Sequence, residues 1–192
     1  MVFANDTELS LAAVVELVNT DDQGEERLTD PDVLAAFVAR HRFSGRHERT
    51  EAELAEVRAL RPRLRRLWEV DEDEVVEIVN ALLREAVALP QLVRHDDWPY
   101  HLHATPMDAP LADRLAVEAA MAMVDVVREG ELRRLRICEF PDCGGVLVDL
   151  SKNRSRRFCD SGCGNRAAVN AYRARRAAQP RAAAPPKEAA QP

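Results

Sequence analysis

The four cysteines of this 192-residue sequence all fall between positions 138 and 163, in two short-spaced pairs. Cys138 and Cys143 bracket C-E-F-P-D-C, and Cys159 and Cys163 lie in F-C-D-S-G-C-G-N-R, with fifteen residues between the inner two. Four thiolates arranged in this way can close a tetrahedron around one Zn²⁺. Turn-forming residues stand where each pair must fold back: Pro141 and Asp142, then Gly144 and Gly145, then Gly162 and Gly164 around Cys163. Two disulfides are the alternative. No signal-peptide-like stretch opens the sequence, so a reducing, cytoplasmic setting is expected, and there clustered cysteines more often bind metal. A complete four-cysteine shell leaves no position for water, and no H-E-x-x-H or H-x-E motif accompanies it. One structural zinc is therefore expected, and no catalysis at it.

The residues around the cysteines suggest what the metal presents. Residues 131–176 hold eleven Lys/Arg against five Asp/Glu, a net of +6, whereas residues 1–130 hold fourteen against twenty-seven, a net of −13. The overall charge of −6 thus hides a basic module joined to an acidic one, a pattern that suits binding to a polyanion. Within the module, Lys152, Arg154, Arg156 and Arg157 alternate with Ser and Asn before Cys159, supplying charge and neutral donors for phosphate oxygens. Arg166, Arg173, Arg175 and Arg176 follow Cys163 among good helix formers and can add phosphate or groove contacts. Asn165 is expected to hydrogen-bond the turn backbone beside Cys163, with base reading as the less favoured role.

The block L-R-I-C-x4-C…V-D-x-S-K-N-R-S-R-R-F-C-x3-C-G-N-R…Y-R-x-R, covering Leu135–Arg176, resembles the CGNR zinc-finger proteins. These are bacterial transcription regulators in which such a finger follows a helical amino-terminal domain called ABATE. Weaker likeness extends to Glu16-Leu17-Val18-Asn19-Thr20 and to Trp98-Pro99-Tyr100-His101-Leu102-His103. Phe158 stands where the family pattern has Trp, and Lys152 where it has Arg, each keeping its chemical type. The resemblance implies DNA binding and transcription regulation. The alternative is a zinc-stapled module that binds RNA or another protein.

Stepwise along the chain, the elements that must position the finger read as helices. Scarce aromatic residues, 5% of the sequence, favour helices packed through Leu, Val and Ala over a large sheet. An apolar stripe of Leu11, Val14, Val15 and Val18 predicts a helix over 8–19, stopped by Asp21–Gly24, with Asn19 as its C-cap. Pro31 opens a second behind Thr29 or Asp30, with Val33, Leu34, Phe37 and Val38 as its stripe. Thr50 and Glu53 form a capping box for a third helix, which Pro62 is expected to kink or split. A fourth starts at Asp71 and closes at Pro90, and a fifth falls within Met107–Glu129, starting at Asp108 or Pro110, with Gly130 as its stop. Residues 91–105 lack helical periodicity and read as a hairpin or loop, and Val146–Leu150 as a short strand.

The expected fold is mainly α: a helical amino-terminal domain over 1–130 with a small β-hairpin excursion, then a small β-plus-α treble- or ribbon-like finger over 131–176. Residues 177–192, rich in Ala and Pro, are expected to be disordered. His101 and His103 alternate on a presumed strand and so share a face. Core or pocket-lining roles fit them better than a second metal, and with Trp98 they mark a candidate pocket for a small-molecule effector. Ligand sensing or homodimerisation is the expected work of the amino-terminal domain. No apolar run reaches membrane-spanning length.

Overall fold

The computed structural model describes residues 2–22, 24–94 and 99–178. Trp98 and residues 179–192 lie outside the described residues. The elements run α1 (Asn5–Val18), β1 (Asp21–Asp22), β2 (Glu25–Glu26), α2 (Pro31–Arg40), α3 (Glu51–Arg65), α4 (Glu72–Glu85), β3 (Gln91–Val93) and β4 (His101–His103). There follow α5 (Leu111–Arg128), β5 (Leu135–Ile137), β6 (Val146–Val148) and α6 (Cys163–Ala178). The strands form three separate antiparallel hairpins, β1–β2, β3–β4 and β5–β6. The protein is mainly α with a small zinc-finger unit at its carboxyl-terminal end. Among the described residues no helix is long and apolar enough to cross a membrane.

Local chemistry sets the helix ends. The Asp30 carboxylate accepts from the amides of Asp32 and Val33, with Pro31 in the first turn of α2, so Asp30 rather than Thr29 is the cap. Thr50 Oγ1 accepts from Glu53 N at 3.2 Å, and the buried Glu53 carboxylate reaches back to the amides of Glu48 and Arg49. Asp71 caps α4 through Glu74 N. At the end of α5, Gly130 takes φ +63°, Glu131 N bonds Val126 O and Gly130 N bonds Val127 O, the paired pattern of a Schellman stop.

Three expectations change. α3 runs continuously through Pro62 to Arg65 instead of splitting there. Proline removes one amide, and the Arg58 carbonyl that would have received it accepts from Arg61 Nε at 3.3 Å instead. The stop after α1 is not a plain turn but the β1–β2 hairpin, closed through Gly24 at φ +89°. The last helix extends to Ala178, so Ala177 and Ala178 belong to it rather than to a disordered tail.

α5 is the central helix, packed by α1, α3 and α4, with Leu111, Leu115, Ala119, Met123 and Val126 buried. The finger shares this core. Strand residues alternate between faces, and β6 uses both: Val146 and Val148 belong to the helical core, while Leu147 packs with the cysteines. Helix residues also hydrogen-bond the β6 backbone and the turn before it. Asn19 donates Nδ2 to Val146 O and accepts from Val146 N, both at 2.8 Å. Trp68 Nε1 donates to Leu147 O at 2.9 Å, and Arg65 donates to Gly144 O at 2.8 Å.

Candidate metal centre and basic surface

Cys138 follows β5 and Cys143 precedes β6, joined by a tight turn. Cys138 N bonds Gly145 O at 2.8 Å and Cys143 N bonds Phe140 O at 3.1 Å, while Asp142 takes a left-handed φ of 61°. Cys159 lies on the returning loop and Cys163 in the first turn of α6. The four Sγ atoms lie within 4.8 Å of one another. Cys143 to Cys159 is 3.7 Å, and Cys163 is 3.5 Å from each of them. Zn–S bonds of about 2.3 Å at tetrahedral angles place sulfurs about 3.8 Å apart, so the four thiols fit one structural zinc ion.

The thiols differ in their readiness to ionise: Cys159 is lowered, with burial opposed by hydrogen bonds from Ser161. Burial pushes the Cys143 thiol up to about 12 and raises Cys163 as well, so these protons leave reluctantly unless a divalent ion replaces them. Four thiolates and one Zn²⁺ carry a net −2, and nearby donors offset that charge. Arg166 donates to Cys163 Sγ at 2.9 Å and lies over the Phe140 ring at 4.8 Å. The Cys159 amide points at Cys138 Sγ at 3.4 Å. Gly145 suits the same crowding: a Cβ there would sit 3.2 Å from Cys159 Sγ and 3.5 Å from Asn19 Oδ1.

The basic loop after β6 is shaped by Asp149, which is fully buried. Its carboxylate accepts from Ser151 N at 2.9 Å, Ser151 Oγ at 2.5 Å and Arg156 N at 2.8 Å. Burial opposes its ionisation, but these bonds and Arg136 hold the carboxyl below the usual range. Buried Arg134 ties the same loop by donating to the carbonyls of Asp149 and Ser151 at 2.7 and 3.0 Å. Asp149→Ala should therefore cost about 3 kcal/mol, because a charged acceptor is lost and its amide donors are stranded. Tryptic cutting within 152–157 should speed up accordingly. For the native protein the sign is that of a depressed carboxylate: the contribution is complete above pH about 4 and lost as pH falls through the lowered value. A variant as resistant to trypsin as the native chain would contradict this role.

The expected nucleic-acid residues divide into three groups. Arg154, Arg156 and Arg157 flank the metal loop, and each is paired with a carboxylate: Glu131 at 2.9 Å, Asp160 at 2.5 Å and Glu139 at 2.6 Å. Arg166 is drawn to the sulfurs and thus belongs to the metal site's surroundings. Lys152 and Arg173 are exposed and make no ion pair among the described residues. The Asn165 side chain is exposed and makes no hydrogen bond among the described residues, so the expected bond to the turn backbone is not formed. Asn19, Trp68, Asp149 and Arg134 position the finger, and of these the sequence pattern points only to Asn19, as a cap.

In the amino-terminal part, β4 projects His101 and His103 from one face, with their Nε2 atoms 2.9 Å apart. Both line a small cavity with Ser10, Arg114 and Glu118. Burial raises the Glu118 carboxyl, with the Ser10 hydroxyl bonded to it at 3.1 Å. Arg114 donates to the carbonyls of Ser44, Arg46 and Ala109. Trp98, the third residue expected at this pocket, lies outside the described residues.

Compared with known families, residues 11–130 match the ABATE family, described as "Putative stress-induced transcription regulator", and residues 134–176 match the CGNR zinc finger. No curated protein matches the chain.

Proposed function

The chain belongs to the ABATE family and carries a CGNR zinc finger, and on that footing we propose that it is a transcription regulator whose finger contacts duplex DNA. The observation that carries the reading is a net +6 over residues 131–176, held on a metal-fixed scaffold beside a domain of net −13. Cys159, which ends the basic loop, and Cys163, which opens α6, have sulfurs 3.5 Å apart, so loop and helix start from one fixed point. Exposed ion pairs such as Arg157–Glu139 are worth little in water. Phosphate can therefore replace the carboxylates at modest cost. The cavity beside His101 and His103 is the site we assign to a small effector, with Ser10 and Glu118 as polar contacts.

Binding through phosphates releases counterions, so affinity should fall steeply with salt. The test is anisotropy of labelled duplex with the full-length zinc protein across a salt series. Replacing Arg154, Arg156 and Arg157 with Gln should flatten the slope by about two to three units, roughly one for each arginine that grips a phosphate. Absence of salt-dependent binding to DNA and RNA alike would replace this reading with that of a protein-interaction module.

A further inference from the structure

α6 stands apart from the rest of the molecule. Of its sixteen residues, Cys163 alone is buried, and everything from Ala168 to Ala178 is exposed. An isolated helix of this length is marginal in water, and a helix that buries no stripe calls for a partner. Its two sides differ in kind. Asn165, Val169, Tyr172 and Arg176 follow the spacing i, i+4, i+7, i+11 and so share one face, with Arg173 beside them. Ala167, Ala171, Ala174 and Ala178 repeat that spacing two residues later, which places them about 200° round the helix. The helix carries four arginines and no acidic residue. Arg173, Arg175 and Arg176 make no ion pair among the described residues, unlike the loop arginines.

We infer that α6 is the element that enters the DNA major groove, and that the Asn165–Val169–Tyr172–Arg176 face reads base edges there. The inference rests on the DNA-binding reading above and assigns its specificity to one face. The chemistry of the face fits the groove's code. Asn can pair with adenine N6 and N7, Arg with guanine O6 and N7, and Val can meet the thymine methyl. The alanines opposite carry no groups that read bases. The major groove is wide enough to admit an α-helix. From Asn165 to Arg176 the helix advances about 16 Å at 1.5 Å per residue, which matches about five base pairs at 3.4 Å each. Arg175, off the reading face, is left to a phosphate.

The test uses the full-length zinc-loaded protein. A duplex selected from a randomised pool is compared with a scrambled duplex of the same length at one fixed salt concentration. Asn165→Ala and Arg176→Ala should each cut the preference for the selected duplex about tenfold. Their affinity for the scrambled duplex should change far less. Arg175→Ala should weaken both duplexes equally and leave the preference intact. Circular dichroism and zinc content should stay native, since these side chains are exposed. If the native protein prefers the selected duplex and the face variants keep that preference, base reading by α6 is overturned while DNA binding stands. Tighter binding to A-form RNA than to DNA also overturns it, because the deep, narrow major groove of RNA excludes side chains. If the native protein binds neither duplex, the DNA-binding reading and this one fall together.

Discussion

Cys143→Ser, or chelation of the zinc, should unfold the finger and weaken the helical domain with it. The sequence alone suggests a finger that melts independently of an intact cysteine-free helical core. The shared strand argues otherwise. A structural Zn²⁺ supplies about 10–16 kcal/mol of apparent folding energy to a small finger, so the finger does not persist without it. Once β6 detaches, Val146 and Val148 leave the helical core, and the bonds from Asn19, Trp68 and Arg65 to the 144–147 backbone are broken. Two buried valines at about 1.5 kcal/mol or more each make a loss of about 3 kcal/mol to the helices. For a domain of this size that lowers Tm by about 10 °C. Trp68, 8% exposed, reports the event directly. In a Trp98→Phe background it is the sole tryptophan, and its emission should shift to the red on chelation. An unchanged Trp68 spectrum and unchanged helix melting would show that the finger is merely tethered.

Asn19→Ala should be strongly damaging although it leaves the zinc ligands untouched. Its amide makes a donor–acceptor pair with Val146, both bonds at 2.8 Å, in the seam between helix and strand. Truncation removes both partners at once and leaves the Val146 amide and carbonyl without them, a loss of about 2–4 kcal/mol. Asn19→Asp should recover part of this, since a carboxylate still accepts from Val146 N but faces its carbonyl without a proton to give. The readout is thermal melting alongside zinc stoichiometry: Tm should fall while zinc stays at one per chain. If Asn19→Ala melts like the native protein, the seam is held by packing alone. If zinc is lost as well, the latch and the metal site are one unit.

Much of this architecture is legible in the sequence because its signals are local. Asp30, Thr50 and Asp71 cap their helices through amides two or three residues on, and Gly130 closes α5 with neighbours in the chain. The cysteine pairs likewise declare themselves by spacing, and their sulfurs meet as that spacing requires. What the sequence hides is long-range. Asn19 and Val146 are 127 positions apart, and nothing near a helix-capping asparagine signals a β-strand partner. Trp68 reaches Leu147 across 79 positions. At Pro62 α3 continues, with the Arg58 carbonyl taken up by the Arg61 side chain, a compensation that the proline rule does not contain. The basic loop reads as free cationic charge, whereas Glu131, Glu139 and Asp160 each take an arginine. Arg166 shows the same limit: its charge suggests a phosphate, but its geometry serves a thiolate.

Our proposal is that one zinc organises a surface that grips duplex DNA. It is tested most directly by titrating labelled duplex with the full-length protein at low salt in three states: zinc-loaded, stripped by chelator, and reloaded with one equivalent of Zn²⁺. Binding is expected in the first state, a loss of at least about tenfold in affinity in the second as the loop and α6 lose their fixed relation, and recovery in the third. Equal affinity in all three states would contradict it, since the basic residues would then act without the metal that brings Cys159 and Cys163 together.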